Sequence, residues 1–122
     1  KRMQQSLNSA IMFITHDLGV INQLADRVVV MYAGKIVETG VIEDIFDDTK
    51  HPYTKGLLAS VPVIGRKQRL YSIPGSVPNL YDLPKGCYFA PRCSEAMDIC
   101  RKEEPPAVTI SESHVVNCWR YK

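Results

Sequence analysis

Arg27-Val28-Val29-Val30-Met31-Tyr32-Ala33-Gly34-Lys35-Ile36-Val37-Glu38-Thr39-Gly40 is the stretch that decides the fold. Two runs rich in β-branched residues flank Ala33-Gly34-Lys35, a tight turn, so the segment reads as a β-hairpin. Upstream, Ala10-Ile11-Met12-Phe13-Ile14-Thr15 is an apolar run without alternation, the pattern of a strand buried on both faces of a parallel sheet. Between the two, Leu18, Ile21, Leu24 and Ala25 recur at helical spacing behind Asp17, a capping or first-turn residue. Residues 1–8 read as the last turns of a helix whose beginning is missing, closed by the breakers Asn8 and Ser9. Downstream, a short helix is expected over Val41–Phe46, capped from Thr39 or Gly40. Another is expected over Pro52–Val61, with Pro52 in its first turn.

Beyond Val61 the composition changes. Seven of the eight prolines lie from Pro62 to Pro106, and all four cysteines follow Lys85. A boundary is expected near 61–65, separating residues 1–61 from a small, loop-rich extension, residues 62–122. That extension carries a short helix, Ser94–Arg101, and strands near Val108–Ile110 and Val115–Val116. Its core is too small to stand on packing alone.

The 122 residues are 45% hydrophobic and 23% charged, a globular composition. A net charge of +2, without a dense basic run, argues against a nucleic-acid partner. No apolar run approaches the roughly 20 residues that span a bilayer.

His16 follows the expected strand at its carboxyl end, where ligands bind in open α/β sheets. On its own, such a histidine is more often a cap or a core residue. Its context changes that. Ile14-Thr15-His16-Asp17-Leu18, followed by Ala25 through Gly40, resembles the end of an ABC-transporter ATPase domain. Val41–Phe46, His51-Pro52-Tyr53-Thr54-Lys55-Gly56-Leu57-Leu58 and Ile73–Pro78 resemble the ATP-binding subunits of oligopeptide and dipeptide importers, to which nickel importers are close.

The resemblance implies an α/β fold: the C-terminal part of an ABC ATPase domain (a truncated parallel sheet, hairpin and helices), then a cysteine-containing extension. It implies that His16 contacts the γ-phosphate of ATP. The implied partners are a second ATPase subunit, transmembrane permease subunits and, indirectly, an extracytoplasmic peptide-binding protein. The implied location is the cytoplasmic face of the cell membrane. ATP and Mg²⁺ belong to the full-length subunit only. None of the seven glycines here forms G-x-x-x-x-G-K-[ST], and neither a signature serine loop nor an Asp-Glu strand end is present. This chain alone is therefore expected to be inactive. An unpaired edge at 10–15 would allow a homodimer.

Cys87, Cys93, Cys100 and Cys118 follow a C-x5-C-x6-C-x17-C spacing. Two disulfides, a structural zinc, with His114 able to substitute as a ligand, and a [4Fe–4S] cluster are all open readings. The cysteine pattern resembles that of the peptide-importer extension, which implies the iron–sulfur cluster. Arg92, Arg101 and Arg120 could offset its negative charge, while Lys102 reads as solvated surface. Trp119, Phe89 and Tyr88 read as packing around the site, and His51 as a capping or packing residue at its helix start, without a chemical role. A metal-binding interaction module without catalysis is the competing function.

Overall fold

Ala33 and Gly34 both take positive φ, 46° and 82°, the arrangement of a two-residue turn whose twist matches the flanking strands. It joins β1 (Arg27–Tyr32) to β2 (Lys35–Val41), paired antiparallel from Arg27↔Val41 to Tyr32↔Lys35 with an irregularity at Val30/Met31. The computed structural model describes residues 2–62 and 71–122; part of the boundary expected at 61–65 lies outside them.

Side chains of β1 alternate. Val28, Val30 and Tyr32 enter the core, and Val29 and Met31 face outward. The inner face meets Val37, Ile45 and Phe89, and Tyr32, Tyr53 and Phe89 interlock with ring centroids 4.7–5.3 Å apart.

The extension returns to this hairpin. β3 (Ala107–Thr109) pairs with β4 (Val115–Asn117), and β4 pairs with β2 through Glu38↔Val116 and Thr39↔Val115. The result is one four-stranded sheet in the order β1-β2-β4-β3, with two strands from each side of the expected boundary. Every pairing in it is antiparallel, which corrects the expectation of a truncated parallel sheet.

The expected strand at 10–15 is also absent. Residues 11–15 form no ladder, and Met12 and Ile14 are 85% and 91% exposed. A parallel strand buried on both faces needs a neighbour along each edge and a layer above and below, and among the described residues nothing supplies them.

The helices are short. α1 spans Arg2–Leu7 and α2 spans Leu18–Leu24. α3 (Ile42–Phe46) starts from Val41, whose N–H is received by the Asp44 carboxylate at 3.3 Å rather than by Thr39 or Gly40. α4 (Pro52–Ala59) begins with its proline in the first turn, as expected. α5 covers only Asp98–Lys102; a turn closed by Ala96 N–H on the Cys93 carbonyl delays its start.

Candidate functional site

His16 is exposed, one residue ahead of the cap of α2. The Asp17 carboxylate accepts the N–H groups of Gly19 and Val20 at 2.9 and 3.1 Å, and Thr15 Oγ1 accepts the Asp17 N–H at 3.0 Å. Asp17 is therefore occupied as a cap. The imidazole stands at the solvent-facing start of a helix, without a hydrogen bond among the described residues.

The four cysteines come together. Cys87, Cys93, Cys100 and Cys118 are free thiols lining one largely apolar cavity of about 320 Å³, its open mouth included. Cys100 sits in α5, and the other three are placed by backbone hydrogen bonds in the loops around it. Cys87 N–H donates to the Cys100 carbonyl at 2.8 Å, Cys93 N–H donates to Ala90, and the Cys118 carbonyl accepts from Tyr121. Gly86 permits the first contact, because a Cβ there would lie 2.4 Å from the Cys100 carbonyl oxygen.

Burial pushes the Cys87, Cys93 and Cys118 thiols up. Backbone N–H groups of Phe89 and Ala90 at Cys87, that of Arg120 at Cys118, and the Arg120 charge near Cys93 work in the opposite direction. The thiols also raise one another, as close neighbours of like charge do. Among the described residues no three His, Cys, Asp or Glu side chains stand at metal-ligand spacing. What the described residues do show is four reduced sulfurs lining one cavity, with N–H donors and a cation beside them.

Other expectations sort themselves around this cavity. Phe89 and Trp119 line it, and Trp119 Nε1–H donates to the Glu103 carbonyl at 3.0 Å. Tyr88 does not line it; it lies under the Lys35 ammonium instead. Arg120 lines it, paired with Glu95. Arg92 is engaged elsewhere, donating to the Pro74 and Ile73 carbonyls at 2.8 and 3.1 Å and to Tyr32 Oη at 3.3 Å. Arg101 and Lys102 are exposed.

His114 is not a ligand. Its Nε2 donates to Glu38 Oε1 at 2.8 Å, both side chains being fully buried. Glu38 also accepts from Thr49 Oγ1 at 2.9 Å, Lys50 N–H at 2.6 Å and His51 N–H at 3.1 Å. Burial pushes this carboxyl up, but its donors override that and hold it below its ordinary value; the Thr54 hydroxyl pulls in the same direction without completing a hydrogen bond. Nothing in the local sequence marks Glu38 as buried, because its partners lie 11 to 76 positions away. His51, expected to cap or pack at its helix start, does cap α4, its Nδ1 accepting the Tyr53 N–H at 3.0 Å, and it also borders the cysteine cavity.

A cysteine-bearing lobe closed onto a β-hairpin is thus the architecture, and it defines the class: residues 37–100 match the model of the oligopeptide/dipeptide transporter, C-terminal region, and the chain belongs to that family. Among individual relatives, it is 48% identical over 123 residues to the oligopeptide transport ATP-binding protein AppD of Bacillus subtilis, covering 100% of this chain and 38% of AppD. It is 50% identical to the oligopeptide transport ATP-binding protein OppD of the same organism, covering 98% of this chain and 34% of OppD. It is 49% identical to the dipeptide transport ATP-binding protein DppD of Lactococcus lactis, covering 96% of this chain and 34% of DppD. The chain thus spans about a third of the length of these relatives. No helix among the described residues is long and apolar enough to cross a membrane.

Proposed function

We propose that this chain is the C-terminal region of the ATP-hydrolysing subunit of an ABC importer for oligopeptides or dipeptides. The observation that carries the reading is similarity along the whole chain to proteins named as oligopeptide and dipeptide transport ATP-binding proteins. In the complete subunit, His16 contacts the γ-phosphate and helps position the attacking water. Mg²⁺, the phosphate cradle and the general base belong to parts of the subunit that this sequence does not contain. Residues 1–61 act as the end of the ATPase domain and residues 62–122 as its extension. The partners are a second ATPase subunit, transmembrane permease subunits and, through them, an extracytoplasmic peptide-binding protein, with the subunit at the cytoplasmic face of the membrane.

The test joins this chain to the N-terminal two thirds of such a subunit. There, His16→Ala is expected to cut ATP turnover severely while ATP binding is retained. Turnover that survives unchanged refutes the assignment. The isolated chain is expected to give no micromolar MgATP binding by calorimetry.

A second reading concerns Cys87, Cys93, Cys100 and Cys118, and the convergence of four reduced thiols on one cavity favours it. We assign them as ligands of a [4Fe–4S] cluster, with zinc as the competitor. Bound there, the cluster would supply cross-linking energy to a lobe whose own core is small. The chain's part is to present four thiolates, to direct the N–H groups of Phe89, Ala90 and Arg120 at sulfur, and to cover the site with Phe89 and Trp119. Anaerobic treatment with ferrous iron and sulfide is expected to give a brown protein with about four irons per chain. A colourless protein holding zinc instead overturns the choice of metal, and one that takes up neither overturns the site.

A further inference from the structure

We propose that Cys87 and Cys100 are a thiol–disulfide pair, which a low-molecular-weight disulfide oxidises to one intramolecular bridge in the metal-free chain. The pairing concerns free thiols and stands whether or not the cavity binds a metal. Its effect is to withdraw two of the four sulfurs that line the cavity.

Backbone placement carries it. The Cys87 N–H donates to the Cys100 carbonyl at 2.8 Å, the only backbone hydrogen bond between two cysteines among the described residues. Such a bond holds the two Cα atoms roughly 4.5–6.5 Å apart, inside the span of about 4.4–6.8 Å that a disulfide bridges. The neighbouring residue makes this approach possible: a Cβ at Gly86 would also stand 2.9 Å from the Arg101 carbonyl carbon, so the two segments touch backbone to backbone. Both cysteines line the same cavity, and Cys100 acts on the Cys87 thiol more strongly than Cys93 does.

Exposure sets the order of events. Cys87 is half-buried and also lines a second cavity, between the hairpin and the lobe, whereas Cys100 is 8% exposed and reaches only the shared one. The Cys87 thiolate attacks the small disulfide, forming a mixed disulfide and releasing one small thiolate. The Cys100 thiolate then attacks the Cys87 sulfur, and the second small thiolate leaves. The two cysteines lose two electrons, the small disulfide gains them, and the protons of the protein thiols pass to the two leaving thiolates.

The pairing runs against chain entropy, which makes it testable. Cys87–Cys93 and Cys93–Cys100 would each close a shorter loop and are favoured in an unfolded chain. The reduced, metal-free 122-residue chain is treated with oxidised glutathione, quenched by alkylation and mapped by fragmentation mass spectrometry. Loss of two thiols and a Cys87–Cys100 link are expected, and in denaturant this link should give way to the shorter loops. Cys87→Ser is expected to slow disulfide formation at Cys100 by about tenfold or more, whereas Cys93→Ser leaves it in place. A native chain that links Cys93 to Cys100, or that stops at mixed disulfides, overturns the proposal. Should the variants fail to fold, the map of the parent decides alone. Uptake of iron and sulfide by the same reduced chain is scored separately. A chain that forms the link but takes up neither overturns the cluster and leaves the pair, and the reverse result overturns the pair and leaves the cluster.

Discussion

Two apolar runs of similar length meet opposite fates in this chain. Val28–Tyr32 becomes a strand whose inner side chains are nearly all hidden, whereas Ile11–Ile14 stays unpaired with Met12 and Ile14 almost fully in water. Composition does not separate them. Partners do: β1 finds β2 two residues away across a turn, and β2 finds β4 far downstream, while residues 10–15 find no complementary edge among the described residues. A strand is a property of a pair, and propensity decides only which segments are ready to be paired. In the subunit proposed above, the parallel sheet would supply that missing edge.

The comparison can be broken at Glu38, where the well-ordered region is most concentrated. Glu38→Ala leaves His114 Nε2–H, the Thr49 hydroxyl and the N–H groups of Lys50 and His51 buried without their acceptor. The expected loss is about 3–5 kcal/mol in denaturant unfolding of the reduced, metal-free chain. A loss below about 1 kcal/mol would mean that the hairpin and the cysteine lobe are not held together there.

Acid should separate the regions next. Burial pushes the pKa of His51 down to about 4 from 6.5. The unfolded chain therefore binds this proton first as pH falls, so the stability tied to a neutral His51 is complete above about pH 6.5 and drains away down to pH 4. At 1.36 kcal/mol per pKa unit the drain is on the order of 3 kcal/mol. Glu38, held below its ordinary value, adds a loss only below about pH 4.5. Unfolding midpoints at pH 7 and pH 4.5 check this, and a midpoint that does not move refutes it. His51→Asn should flatten the upper part of the profile.

The smallest effect sharpens the contrast. Ile14→Ser should change stability by no more than about 0.5 kcal/mol, because the side chain has little burial to lose, whereas Val30→Ser at a buried position of β1 should cost about 2 kcal/mol. Equal costs would mean that residues 10–15 are packed in solution.

What the sequence made legible follows the same line. The hairpin could be read to within a residue because its partners are adjacent: the first strand falls on Arg27–Tyr32 as expected, while the turn takes only Ala33-Gly34 and Lys35 joins β2. The four cysteines could be grouped because no other chemistry competes for them. The β2–β4 pairing could not be read, because Glu38 and Val116 are 78 positions apart and three residues of β4 carry little pattern. Nor could the fate of His114, which stands four before Cys118 and so looks like a ligand. It lies just before β4, and its ring turns to Glu38 rather than to the cavity. The second edge of His51 was hidden for a similar reason: only the assembled lobe sets its ring beside the thiols.

The sheet order has a consequence for synthesis. β2 is translated early, yet its neighbour β4, the Glu38 partner His114, the Lys50 partner Tyr121 and the fourth cysteine all lie between residues 114 and 121. Until residues 114–121 emerge, the sheet is half-finished and the Glu38 carboxylate, buried in the closed structure, is still in water. This region can close only once β4 has cleared the exit tunnel, so a nascent chain stalled before that point should be protease-sensitive across the hairpin and the cysteine lobe, and the released chain should resist there.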